Sequence, residues 1–313
     1  MSKDKKQFRL FDLNRNGKGV PKNEDKTPNV KRYFKLMWRN LSKLLSVNLI
    51  SLFMIIPIVA IIAINVFGPK TPTQMTTVSV PLLGVSIFEQ NEFTPALDIL
   101  RQITSDRMEL QMNTPFTMIL IVIVGAFLII TWGWQNIGIT YLSRNIVKGD
   151  PVFVISDYFY AIKRNWKQGL LYGVIDFAII AILVYEFIYY YQITGQFFFD
   201  VMFYTVFALA ILYFIMRFYT YLLIVTFDIK LFKVFKHALL FAVLGIKRNA
   251  LGILAIVMFA AVNYLILSIS VPLGLALPFV YFISVMEFTK AYCAYPNIEK
   301  YMILPADKKT ISE

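Results

Sequence analysis

The chain has 313 residues, of which 58% belong to the set Ala, Val, Ile, Leu, Met, Phe, Trp, Tyr and Cys and only 16% are charged. Soluble domains run near 45–50% apolar and about 25% charged, and a water-soluble globule of this length cannot hide the excess, so the composition reads as a membrane protein. One cysteine (Cys293) excludes an internal disulfide, one histidine (His237) excludes a multi-histidine metal site, and the net charge of +12 reads as cytoplasmic Lys and Arg rather than as a nucleic-acid surface.

Residues 1–27 are polar and basic, with Gly17, Gly19 and Pro21, and read as a disordered cytoplasmic arm. Thr27–Pro28 then opens an amphipathic stretch in which Val30, Tyr33, Phe34 and Met37 form an apolar stripe opposite Lys31, Lys35 and Arg39. A spanning helix needs about 20 mostly apolar residues, and six segments qualify: 44–67, 116–141, 169–190, 199–227, 250–269 and 272–294. Between the first two lies the loop 68–115, the one sizeable region outside the membrane. Within it Thr94–Pro95 predicts a helix start, followed by Leu97, Leu100 and Ile103 at helical spacing. Low in the second span, Gln135 and Asn136 stand beside Trp132 and Trp134 and are expected to bond across helices. The polar tail begins at residue 297. The expected organisation is therefore the arm 1–27, a six-helix membrane domain 28–296 and a cytoplasmic tail 297–313.

Lys and Arg set the orientation. Residues 1–43 carry 13 of them, the loop 68–115 carries 3, 142–168 carries 5, 191–198 none, 229–249 carries 5, 270–271 none, and 4 follow from Lys290. Basic and non-basic connections alternate, which places both termini in the cytoplasm.

Three cytoplasmic segments share a layout: an amphipathic stretch ends in Arg–Asn and a span follows at once. The pairs are Arg39–Asn40, Arg164–Asn165 and Arg248–Asn249, with apolar residues two and five positions earlier (Met37 and Phe34, Ile162 and Phe159, Ile246 and Val243). Asn is a favoured N-cap, Arg at that depth reaches lipid phosphate along an apolar stem, and Trp38 and Trp166 fall where an interfacial aromatic belt belongs. The expected fold is an all-α polytopic bundle of three helical hairpins. Each hairpin is preceded by an elbow helix lying on an anionic inner leaflet.

The run Gly138–x2–Tyr141–x2–Arg144–Asn145–x3–Gly149, continued by Asp157–Tyr158–Phe159–x3–Lys163–x–Asn165–x–Lys167–Gln168, resembles the YesL-like family of bacterial polytopic membrane proteins of uncharacterised function. The first span, with Asn48–Leu49 and Pro57, resembles that family's opening. The resemblance covers residues 33–67 and 116–190. It implies a bacterial plasma membrane and association with carbohydrate uptake, and it implies no activity.

Ionisable side chains inside spans are functional candidates by default, and here they include Asp176, Arg217 and Glu287. Asp176 is seven residues past Gly169, about 10 Å above the inner boundary at 1.5 Å per residue. Arg217 returns to a similar depth on the next span, and Glu287 lies in the inner half of the sixth. An ion-paired cluster facing the bundle interior is expected. There is no Gly-rich phosphate loop, paired-aspartate GxGD motif or nucleophile–base set, so no cofactor and no catalysis are expected. The chain reads as a non-enzymatic scaffold or accessory partner of other membrane proteins in a transport or envelope complex; the alternative is a transporter or permease subunit for a small solute.

Overall fold

The computed structural model describes residues 27–72, 111–193 and 195–305. The expected arm (apart from Thr27), the helix expected after Thr94–Pro95 and the end of the tail lie outside the described residues.

Six helices are long and apolar enough to cross a membrane. Each hairpin of spans follows a shorter elbow helix. The elbow α1 (Val30–Arg39) leads into α2 (Leu41–Phe67), which pairs with α3 (Pro115–Lys148). The elbow α4 (Val154–Arg164) leads into α5 (Trp166–Gln192) and α6 (Phe197–Thr226). The elbow α7 (Leu231–Leu244) leads into α8 (Ile246–Ile269) and a last span, built from α9 (Val271–Leu277), a π-helical stretch Pro278–Phe282 and α10 (Ile283–Ile298). The architecture is an all-α polytopic membrane bundle. One small ribbon interrupts it: β1 (Lys70–Pro72) pairs antiparallel with β2 (Gln111–Asn113), Lys70 opposite Asn113, and ties the ends of α2 and α3 together. Thr114 caps α3 by accepting from the Thr117 N–H at 3.2 Å, with Pro115 at the first helical position.

Helix α3 is the centre of the bundle, packing on α2, α4, α5, α6 and α10. Burial is concentrated in one half of the spans. On α5 the buried residues are Gly169, Tyr172, Gly173 and Asp176; on α6 they begin at Tyr213; on α8 they are Asn249, Gly252 and Ile256. The elbow-side halves therefore form a packed core, while the far halves of the α5–α6 and α8–α9 hairpins present apolar side chains outward.

Glycine sets the closest approach. A Cβ at Gly133 on α3 would lie 1.9 Å from the Gly169 carbonyl oxygen and 2.7 Å from the Gly173 Cα, both on α5. Gly169 and Gly173 are four residues apart, the small-x-x-x-small spacing that lets membrane helices touch backbone to backbone.

The first two elbows face the bundle with Tyr33 and Leu36 on α1 and with Tyr158 and Ala161 on α4, each one position before the apolar pair named from the sequence. Phe34 and Phe159 point outward, while Met37 and Ile162 pack at the core margin. Each elbow thus has one apolar edge on the bundle and another turned outward. The elbows differ from expectation at Asn40, Asn165 and Asn249, expected as N-caps of the following spans. Asn40 and Asn165 have ψ of 18° and 23°, not the extended backbone of a capping residue, and neither side chain caps the next helix. Their amides turn back instead, donating to the Leu36 and Ala161 carbonyls at 3.0 Å and closing the elbow's last turn. Asn249 lies inside α8, where Gly245 occupies the capping position, yet its amide donates to the Ala242 carbonyl at 3.0 Å on the preceding elbow. The arginines Arg39 and Arg164 end their elbows, while Arg248 sits in the first turn of α8. By contrast Asn29, with ψ 167°, caps α1 by accepting from the Arg32 N–H at 2.8 Å.

The last span does not end at residue 294. It stays helical through Ile298 and a π-turn Glu299–Ile303, because Asn297 is buried and donates to the Tyr219 hydroxyl at 2.8 Å. The π-helical stretch starts at Pro278, which has no N–H and disrupts the ladder. Asn48 repairs the break from α2: its amide donates to the Phe279 and Pro278 carbonyls and its oxygen accepts from the Ser284 N–H at 3.0 Å. Asn48→Leu is expected to strand those groups and lower stability by about 1–3 kcal/mol, measured by detergent-titrated unfolding against wild type.

Candidate functional site

The charge cluster is assembled on three helices. Tyr213, Arg217 and Tyr221 recur every fourth residue on α6 and so share a face; Tyr172 and Asp176 do the same on α5; Trp132 comes from α3. Asp176 is fully buried. Its Oδ1 accepts from the Tyr213 hydroxyl at 2.7 Å, and its Oδ2 accepts from the Tyr221 hydroxyl at 2.7 Å, the Trp132 Nε1 at 2.9 Å and an Arg217 terminal nitrogen at 3.0 Å. The Arg217 Nε lies 2.8 Å from Oδ1, a charge contact whose N–H is not aligned as a hydrogen bond. The guanidinium also lies 5.9 Å from the Trp132 ring centroid and 5.8 Å from that of Tyr221. Tyr172 buttresses the site, donating to the Thr220 hydroxyl at 2.7 Å and packing edge-on against Tyr221.

Glu287 is placed differently from the expectation of a three-residue ion pair. It pairs with Lys290 one helical turn on, at 2.6 Å. It forms no ion pair with Arg217, although α6 and α10 pack together and the Lys290 ammonium lies 5.6 Å from the Phe214 ring centroid on α6. Four charges thus form two ion pairs side by side, and the group is neutral as a whole. Spacing pointed to Asp176 and Arg217; the roles of Tyr213 and Tyr221 were equally available in their four-residue offsets from Arg217.

Gln135 and Asn136 do not bond across helices: Asn136 donates to the Trp132 carbonyl on its own helix, and the Gln135 Oε1 has no partner. Trp134 does cross, donating its Nε1 to the Trp166 carbonyl at 2.9 Å.

The residues of the central sequence motif have structural roles at the α3–α4–α5 corner. Gly138 lies flat against the Tyr158 ring, where a Cβ would come within 2.3 Å. Arg144 stacks over Tyr141 at 4.6 Å and donates to the Val225 carbonyl at 2.7 Å, closing the end of α6. Gly149 ends α3 at φ 84°, a left-handed position that favours glycine. Asp157 accepts from the Phe153 N–H at 2.9 Å, fixing the start of α4. Phe159, Lys163 and Lys167 are exposed. On the first elbow, burial pushes the Tyr33 phenol up to about 12, so it remains protonated beside the Thr289 hydroxyl at 2.8 Å. Among the described residues no three His, Cys, Asp or Glu side chains come together to hold a metal ion.

Fold and site define a six-span helical membrane protein with a neutral intramembrane charge cluster and three elbow helices. No family model matches the chain, and no curated protein or solved structure matches it significantly.

Proposed function

We propose that the chain is a non-enzymatic membrane protein of the YesL-like type, an accessory or scaffold partner of a carbohydrate-transport or envelope complex. It resides in a bacterial plasma membrane with both termini in the cytoplasm. The observation that carries the scaffold reading is the closure of Asp176: a carboxylate that accepts from two tyrosines, a tryptophan and an arginine while fully buried has no capacity left for a solute. Such a group braces helices. The orientation follows from the alternation of Lys and Arg, and the elbows, each with an outward apolar edge beside basic residues, suit an anionic inner leaflet. The carbohydrate connection and the bacterial setting rest on the sequence resemblance. Cross-linking in native membranes followed by purification is expected to recover another membrane protein in near-equal amount. Recovery of the chain alone contradicts the scaffold reading.

A second reading, a small-solute transporter, is favoured by one feature. The Arg217 and Glu287 side chains each keep 13% of their surface accessible within their spans, so the α10 side of the cluster is not sealed. Solute-driven flux in proteoliposomes that is lost in Glu287→Gln would select this reading over the first.

A further inference from the structure

At the corner where α4 meets α5 the chain leaves a hollow of about 220 Å³. Its walls come from two segments: Arg164, Trp166 and Lys167 at the turn into α5, and Phe227 and Asp228 just past the end of α6. The two segments are joined by Gln168, whose amide donates to the Ile229 carbonyl at 3.2 Å, and Trp166 is anchored from behind by the Trp134 bond to its carbonyl. The hollow is therefore a fixed feature of the packed half of the bundle.

Charges of both signs border it. Arg164, Lys167 and Asp228 are all exposed, and among the described residues none of them forms an ion pair. By contrast, Lys148 closes on Asp150 at 2.7 Å and Lys290 on Glu287 at 2.6 Å. Here two cations and one anion border a single small space and remain apart. That arrangement complements a dipolar ion, with the phosphate or carboxylate end on the Arg164 and Lys167 side and a cationic end toward Asp228. The volume is below the roughly 300 Å³ at which pockets for drug-sized ligands begin, so the occupant is a small group. The position narrows it further. The hollow lies at the elbow-side ends of α5 and α6, bordered by Trp166 and Phe227, an aromatic pair of the kind found at headgroup depth.

We propose that this hollow binds the headgroup of a zwitterionic phospholipid with a primary ammonium, phosphatidylethanolamine. The phosphate meets Arg164 and Lys167, and the ammonium donates to the Asp228 carboxylate. A choline headgroup has no N–H to donate there, and a glycerol headgroup leaves Asp228 facing a neutral alcohol. This placement rests on the reading of the elbows as inner-leaflet helices, which stands or falls on side-specific labelling at Ser156 and not on lipid selectivity.

The test uses the full-length protein in detergent, offered equal amounts of phosphatidylethanolamine, phosphatidylglycerol and phosphatidylcholine with identical acyl chains, with retained lipid read by native mass spectrometry. Phosphatidylethanolamine is expected to be retained about tenfold over phosphatidylcholine, the worth of one hydrogen bond between charged groups. Asp228→Asn should erase that preference while lipid is still bound, and Arg164→Gln with Lys167→Gln should weaken retention of all three lipids. The three positions are on the surface, so unchanged thermal unfolding of each variant checks that the fold persists. Retention of phosphatidylglycerol above phosphatidylethanolamine, or an Asp228→Asn variant with the wild-type ratio, overturns the proposal. Displacement of the lipid by soluble phosphoethanolamine at equal concentration overturns the choice of a lipid as the occupant.

Discussion

Asp176→Ala is expected to destabilise the folded protein by about 3–5 kcal/mol, the usual cost of removing one partner of a buried ion pair. Arg217 would remain in the bundle with its counter-ion gone, and the Trp132, Tyr213 and Tyr221 donors would lose their common acceptor at once. The double change Asp176→Asn with Arg217→Gln removes both charges and leaves a neutral amide at each position, so it should cost less than Asp176→Ala alone. Unfolding in mixed detergent micelles reads both. A double-mutant cycle should return a coupling of roughly 0.5–3 kcal/mol, as for residues in direct contact. Silent single changes, or strictly additive ones, would mean that the pair does not hold α5 to α6.

Gly173→Leu should be at least as damaging, through packing alone. The Cβ position at Gly173 already falls 2.4 Å from the Gly133 Cα, so any side chain forces α3 and α5 apart. Backbone cannot yield as a side-chain tip can, and the loss should exceed the roughly 1–3 kcal/mol typical of overpacked cores. Because α3 touches five other helices, separation there loosens the whole bundle. Gly125→Leu is the control, since a Cβ at Gly125 on α3, two turns from Gly133, meets nothing within 4 Å. Size-exclusion profiles in mild detergent should show a monodisperse peak for Gly125→Leu and aggregate for Gly173→Leu; similar profiles for both would show that the α3–α5 approach tolerates expansion.

The spans could be read from the sequence because a length of apolar residues is a one-dimensional property, and lipid permits few alternatives to a helix. The Asp176–Arg217 pair was legible for a related reason: two antiparallel helices joined by a short turn place residues at depths that can be counted. The partner of Glu287 was not legible because depth alone does not choose among partners, and Lys290, one turn away on the same helix, wins by proximity. Which elbow residues meet protein was not legible, because each elbow carries two apolar edges. Tyr33 and Leu36 meet protein while Phe34 and Val30 face outward, and periodicity cannot say which edge meets which. The asparagines failed as caps for a conformational reason. A tight corner between elbow and span holds Asn40 and Asn165 near ψ 20°, which directs the amide backward to the elbow's last carbonyls. The contact of Gly133 with Gly173 was present in the sequence as the Gly169–Gly173 spacing, but the partner helix was not.

If the chain sits in the membrane as proposed, the packed half of the bundle and its elbows face the cytoplasm. Single cysteines at Gly195, in the turn between α5 and α6, and at Ser156 on α4 and Lys236 on α7 report it directly when placed in a Cys293→Ser background. All three positions are exposed. An impermeant thiol reagent applied to intact cells should label the cysteine at Gly195 and leave the other two unmodified until the membrane is opened. Labelling at Ser156 or Lys236 in intact cells, with Gly195 protected, would contradict the orientation and the inner-leaflet role of the elbows with it.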